Sequence, residues 1–91
     1  MSVGGKLYVR YIHQELKPNE VYKLEVYMCL AFLYDVDNYN STAVFAKNYA
    51  NLSMIDNMLN NKYKVTVDSS YLTIENVGGS TSSVRLIIMG R

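Results

Sequence analysis

The sequence predicts an all-β chain: an antiparallel β-sandwich, jelly-roll-like, of six to seven strands with at most one short helix near 53–60. Three observations carry this. Apolar residues alternate with period two in short runs, which places them on one side of an extended strand. Clusters of Asp, Asn, Ser, Pro and Gly separate the runs at a spacing of roughly ten residues, as in sandwiches. Tyrosine (nine, against two phenylalanines and no tryptophan) and β-branched residues supply the runs, and these residue types suit a pleated, half-buried surface.

Residues 1–5 form a flexible lead carrying Gly4-Gly5. Lys6 to His13 is the first strand. Leu7, Val9 and Tyr11 fall on one side and Tyr8, Arg10 and Ile12 on the other, giving one core face and one mixed face. Leu16 to Glu20 is a turn, with Pro18 presetting φ at its first corner and Asn19 tolerating the second. Val21 to Val36 is the longest run. It begins half-exposed, turns apolar on both parities from Tyr27, and is there expected to be a strand buried on both faces. Sixteen residues exceed a typical strand, so a bend or bulge near Tyr27 to Cys29 is expected to split it.

Residues 35–42 are a polar loop, and Ala43 to Tyr49 is a further strand. Ser53, with Asp56 three residues on, resembles a capping box. Met54, Ile55, Met58 and Leu59 have i, i+3, i+4 spacing, and Asn60-Asn61 would end a helix of at most two turns. The final third, Tyr63 to Arg91, reads as a three-stranded meander closing one side of the core. Tyr63, Val65 and Val67, then Leu72 and Ile74, then Val84, Leu86 and Ile88 face inward. Ile87 and Met89 lie on the opposite parity of the last strand. Apolar residues there imply a covered second face, so Ile87 and Met89, with Tyr8 and Ile12 of the first strand, are the expected oligomer contacts.

Ninety-one residues make one domain, spanning 1–91. A chain this small buries only about 60% of its unfolded surface, which favours association. The net charge of +1 and the scattered lysines and arginines argue against nucleic acid or a membrane as partner. The N-terminal residues lack the apolar stretch of a signal peptide, which points to synthesis in a cytoplasm.

Candidate chemistry is sparse. Asp35, Asp37 and Asn40 have the spacing of a calcium loop's opening. Asn40 stands where the EF-hand glycine belongs, however, and Ala46 where the bidentate glutamate belongs, so the metal signal is weak. His13 is the sole histidine and no nucleophile elbow accompanies it. Cys29, the sole cysteine, sits in the most apolar run and reads as a buried structural thiol. One Cys and one His do not make an ordinary zinc site. No catalytic group and no cofactor are expected, and the chain reads as a non-enzyme. Asp37, Asn38 and Tyr39 are the candidate partner-contacting loop.

Several stretches in this order resemble the small β-sandwich modules that end many bacteriophage tail-fibre and receptor-binding proteins, and some head-fibre or decoration proteins. They are Leu16-Lys17-Pro18-Asn19-Glu20-Val21-Tyr22-Lys23-Leu24, Ser41-Thr42-Ala43-Val44-Phe45, Tyr63-Lys64-Val65-Thr66-Val67, Leu72-Thr73-Ile74-Glu75-Asn76, and the ending Val84-Arg85-Leu86-Ile87-Ile88-Met89-Gly90. The resemblance implies a virion structural or adhesion module that forms homotrimers and docks on other virion proteins or on a host-surface receptor or glycan. This chain departs from the pattern in having no fibrous stem. A phage-encoded inhibitor of a host or defence protein, and a carbohydrate-binding module, are the alternatives.

Overall fold

A computed structural model describes residues 8–36 and 41–90. They form eight strands: β1 (Tyr8–Leu16), β2 (Val21–Glu25), β3 (Met28–Asp35), β4 (Thr42–Asn48), β5 (Asn51–Met58), β6 (Tyr63–Val67), β7 (Tyr71–Asn76) and β8 (Ser82–Gly90). Two antiparallel sheets face each other, a five-stranded one ordered β1-β8-β3-β4-β5 and a three-stranded one ordered β2-β7-β6. The sandwich expected from the sequence is therefore present. The pairs β1–β8 and β2–β7 are nested as in a rolled ribbon, whereas β3, β4 and β5 run as a meander within one sheet.

The core lies between the sheets. Leu33, Phe45, Leu86 and Ile88 from the large sheet meet Leu72 and Ile74 from the small one, all at or near zero exposure. The long apolar run divides at Val26-Tyr27, where the chain crosses from the small sheet to the large. Tyr22, Leu24 and Val26 point inward before the crossing, and Cys29, Ala31 and Leu33 after it. This change of parity is required because the inner faces of two facing sheets look in opposite directions. Met28, Leu30 and Phe32 consequently point outward and stay exposed, so β3 is not buried on both sides within this chain. In β1 the core face is the one carrying Ile12 and Leu16, while Val9 and Tyr11 point out.

Two further expectations are corrected. Residues 53–60 hold no helix, and Asn51–Met58 is strand β5, paired with β4. A two-turn helix with one capping signal is weak in isolation. The tight β4–β5 turn, with Tyr49 at φ 53, instead offers the segment a ladder along all of β4. Asn60 and Asn61, at φ 55 and 58, then form the turn into β6, closed by the Lys62 N–H donating to the Leu59 carbonyl at 3.0 Å. The C-terminal third is also not one meander. β6 and β7 pair, but β8 leaves them for the other sheet and lies between β1 and β3.

Sheet crossings leave backbone groups without ladder partners, and side chains supply them. The buried Asn76 amide donates to the carbonyls of Leu16 and Ser80, both at 2.9 Å. Its Oδ1 accepts from the Gly78 N–H at 3.0 Å. Its backbone holds the β1–β2 turn, donating to the Glu20 carbonyl and accepting from the Asn19 N–H. That turn matches the expectation, with Asn19 at φ 67 after Pro18. Beside it, where Tyr63 pairs with Asn76, the Tyr63 hydroxyl donates to the Asp35 carboxylate at 3.0 Å and also contacts the Ser82 hydroxyl, tying β6 to β3 and β8.

Two substitutions test this framework. A Cβ on Gly90 would lie 2.7 Å from the Cys29 Cα and collide with the Met28 carbonyl oxygen, so Gly90→Ala forces β8 and β3 apart. Chemical denaturation is expected to show a loss of about 2–3 kcal/mol. Asn76→Ala removes three hydrogen bonds at a buried site and is expected to destabilise by roughly 3 kcal/mol in the same measurement.

Candidate functional site

The register across the large sheet aligns its outward residues into rows. One row runs Val9, Met89, Leu30, Ala46 and Ser53. The next runs Tyr11, Ile87, Phe32, Val44 and Asp56, and a third runs His13, Arg85, Tyr34, Thr42 and Met58. The first two rows are apolar across four strands, and the third is polar or aromatic across the same four, ending on Met58. The described residues place no further layer over them. Tyr11 is 79% exposed, Val9 50%, Leu30 45%, Met89 41% and Phe32 38%. The Phe32 and Tyr34 rings stack at 5.3 Å, and a shallow depression opens between Tyr11, Tyr34 and Arg85. Single exposed apolar residues are ordinary, but a contiguous sheet face of them marks a contact surface.

The expected contact residues separate on this framework. Ile87 and Met89 sit in the two apolar rows. Ile12 packs against the core, and Tyr8, which shares its parity, is exposed at the end of β1 beside Gly90. Val9, Tyr11, Leu30 and Phe32 join the face although the sequence did not single them out. Their signal was present in the apolar second parity of β1 and β3, which reads alike for a strand buried on both sides and for one left uncovered.

The other sites resolve differently. Asp35 is buried with its carboxylate on the Tyr63 hydroxyl, while Asp37 and Asn40 lie outside the described residues, as do Asn38 and Tyr39. Among the described residues no three His, Cys, Asp or Glu side chains converge as a metal site would require. His13 is exposed on the outer face. Cys29 is buried, and burial pushes its thiol pKa up. The Lys47 ammonium and backbone beside it in the register, and Arg10 farther off, oppose that rise only in part.

Lys47 is itself 2% exposed and donates to the carbonyls of Tyr27 and Ser69 at 3.2 and 3.4 Å. It thereby joins the β2–β3 crossing to the β6–β7 turn. That turn is shaped by Asp68, whose carboxylate accepts from the N–H groups of Ser70 and Tyr71. These bonds hold its pKa below the usual value. Next to the crossing, the Tyr27 and Tyr49 rings lie 6.1 Å apart at 46°, and the Tyr49 N–H donates to the Tyr27 carbonyl.

Comparisons with family models, curated proteins and solved structures return no match for the chain. What it does must therefore be argued from its own surface.

The raised thiol pKa gives two expected outcomes. An aromatic disulfide reagent at pH 8 should modify native Cys29 at least ~100-fold more slowly than the denatured chain, because the thiolate is scarce and covered. A folded pKa above the unfolded value of 9.0 also means that Cys29 leaves stability unchanged below pH 9.0. Stability should then fall as the pH rises from 9.0 towards the folded pKa, and Cys29→Ala should remove that decline from a pH series of melting curves.

Proposed function

We propose that the chain is a non-enzymatic structural or adhesion module of a bacteriophage particle, of fibre or decoration type, that works by associating through the outer face of its large sheet. The observation that carries this reading is the uncovered apolar face centred on Leu30, Phe32, Ile87 and Met89. A sandwich whose small sheet spans three strands and whose large sheet spans five already has its core. The outer rows add nothing to the fold of one chain, and they gain from contact with another protein surface. The resemblance of the strand motifs to fibre-end modules supplies the particle. Small size supplies a physical reason for association, since larger assemblies bury a larger fraction of their surface.

The homotrimer implied by that resemblance and docking on other virion proteins belong to the same proposal. A second reading, carbohydrate binding, draws on the exposed Tyr27–Tyr49 pair, whose amphipathic rings suit stacking on a sugar.

Particles purified through a density gradient and analysed by mass spectrometry are expected to contain the chain in a fixed ratio to the main structural protein. A chain confined to the soluble fraction in a stoichiometric complex with one host protein would overturn the virion role in favour of an inhibitor. Glycan binding that is lost in Tyr27→Ala would instead favour the carbohydrate reading.

A further inference from the structure

We infer that the outer face of the large sheet binds a second copy of this chain, face to face, about a two-fold axis running parallel to the strands between β8 and β3. This rests on the association proposed above and gives it two-fold symmetry in place of the homotrimer.

The first argument is area. Three rows about 6.7 Å apart across five strands about 4.8 Å apart give a footprint of roughly 500 Å² in projection. The apolar part, two rows on four strands, is about 250 Å² of that footprint, and the polar third row and β5 edge form its rim. With side-chain relief the accessible area exceeds the projection and approaches the ~800 Å² per partner of a standard interface.

The second argument is relief. The apolar rows are tall at the β1 edge, where Val9 and Tyr11 stand, and low at β4, where Val44 and Ala46 stand. Tyr11 is the most exposed of these residues, so its ring stands proud of the described strands. An axis along the strands between β8 and β3 sets β1 of one copy over β4 of the other and β8 over β3. Each Tyr11 then drops onto the Val44–Ala46 shelf of the second copy, and Ile87 and Met89 meet Phe32 and Leu30. Two sheets stacked in this way keep their strands roughly aligned, the common arrangement for packed sheets.

The third argument is charge. Arg85 is the one permanent cation in the three rows. The same axis places it over the Tyr34 ring of the second copy instead of the second Arg85, which converts a repulsion into a cation–π contact. An isologous pair closes on itself and leaves no repeating apolar surface exposed.

Light scattering and sedimentation equilibrium at tens of micromolar should give twice the 10.4 kDa chain mass. Leu30→Glu and Phe32→Glu point away from the core, so each should give a monomer with an unchanged β-sheet circular dichroism spectrum. Val21→Glu, on the exposed side of the small sheet, should leave the dimer intact. A cross-linking experiment tests the geometry without relying on loss of binding. Tyr11→Cys and Val44→Cys proteins should form a disulfide-linked pair under mild oxidation only when mixed. Within one chain these positions are three strand spacings apart, about 14 Å, beyond the roughly 7 Å that a disulfide spans.

A monomeric wild type overturns the inference, as does a dimer that survives both glutamate substitutions. So does a cross-link formed by either cysteine variant alone. A trimer overturns the two-fold pairing and leaves the proposed association standing. A dimer of this geometry absent from particles leaves the pairing standing and removes the virion role. A monomer that binds phosphatidylcholine vesicles through Phe32 would assign the face to lipid and overturn the pairing.

Discussion

The buried amide of Asn76 holds the two sheets in their relation to one another. Where β7 ends, the chain must leave the small sheet and enter β8 in the middle of the large one, and the β1–β2 turn crosses in the other direction beside it. Both crossings interrupt the ladders, and backbone groups at a buried corner have no water to turn to. One side chain answers three of them at once, donating to Leu16 and Ser80 and accepting from Gly78. Its own backbone bonds to Asn19 and Glu20. With that corner fixed, β8 lies between β1 and β3, and Val84, Leu86 and Ile88 reach the core.

Two further polar groups do similar work. Tyr63 reaches across the sandwich to Asp35 and Ser82. Lys47 spans from the large sheet to the Tyr27 and Ser69 carbonyls. A buried ammonium needs such acceptors, because desolvation is expensive for an unpartnered charge. Their common feature is that each ties one sheet to the other, where hydrophobic contact alone is tolerant of sliding. The sandwich is thus closed by apolar packing in its middle and aligned by hydrogen bonds at its corners.

The division into five and three strands has a consequence for function. The small sheet covers the inner side of the large one, and the described residues supply no third layer for the outer side. The residues there are still apolar in the two rows through Leu30 and Phe32, across the strands that lie at the centre of the sheet. Selection for solubility of a lone chain would place polar residues at those positions. Their retention is the physical basis for reading the chain as a component that works in contact with another copy or another protein. Cys29 is covered with its pKa raised, and His13 stands exposed at the polar end of the face.

The sequence by itself determined where the chain is extended, where it turns and which residues of most strands point to the core. Alternation in Leu72 and Ile74, or in Val84, Leu86 and Ile88, is a local record of one-sided burial, and Pro18-Asn19 is a local record of backbone dihedrals. The segment 53–60 misled because a short capping pattern is equally local, and the ladder with β4 that overrode it is not. Sheet membership is also non-local. Nothing within Ser82–Gly90 states that it will leave β7 and pair with Tyr8–Leu16 and Met28–Asp35, since one buried face looks the same whichever strands lie beside it. The tertiary structure alone decided that, and with it the fate of the second parity. Ile87 and Met89 signalled a second apolar face from the sequence. That the face is continuous with Val9, Tyr11, Leu30 and Phe32 follows only from the register that sets these strands side by side.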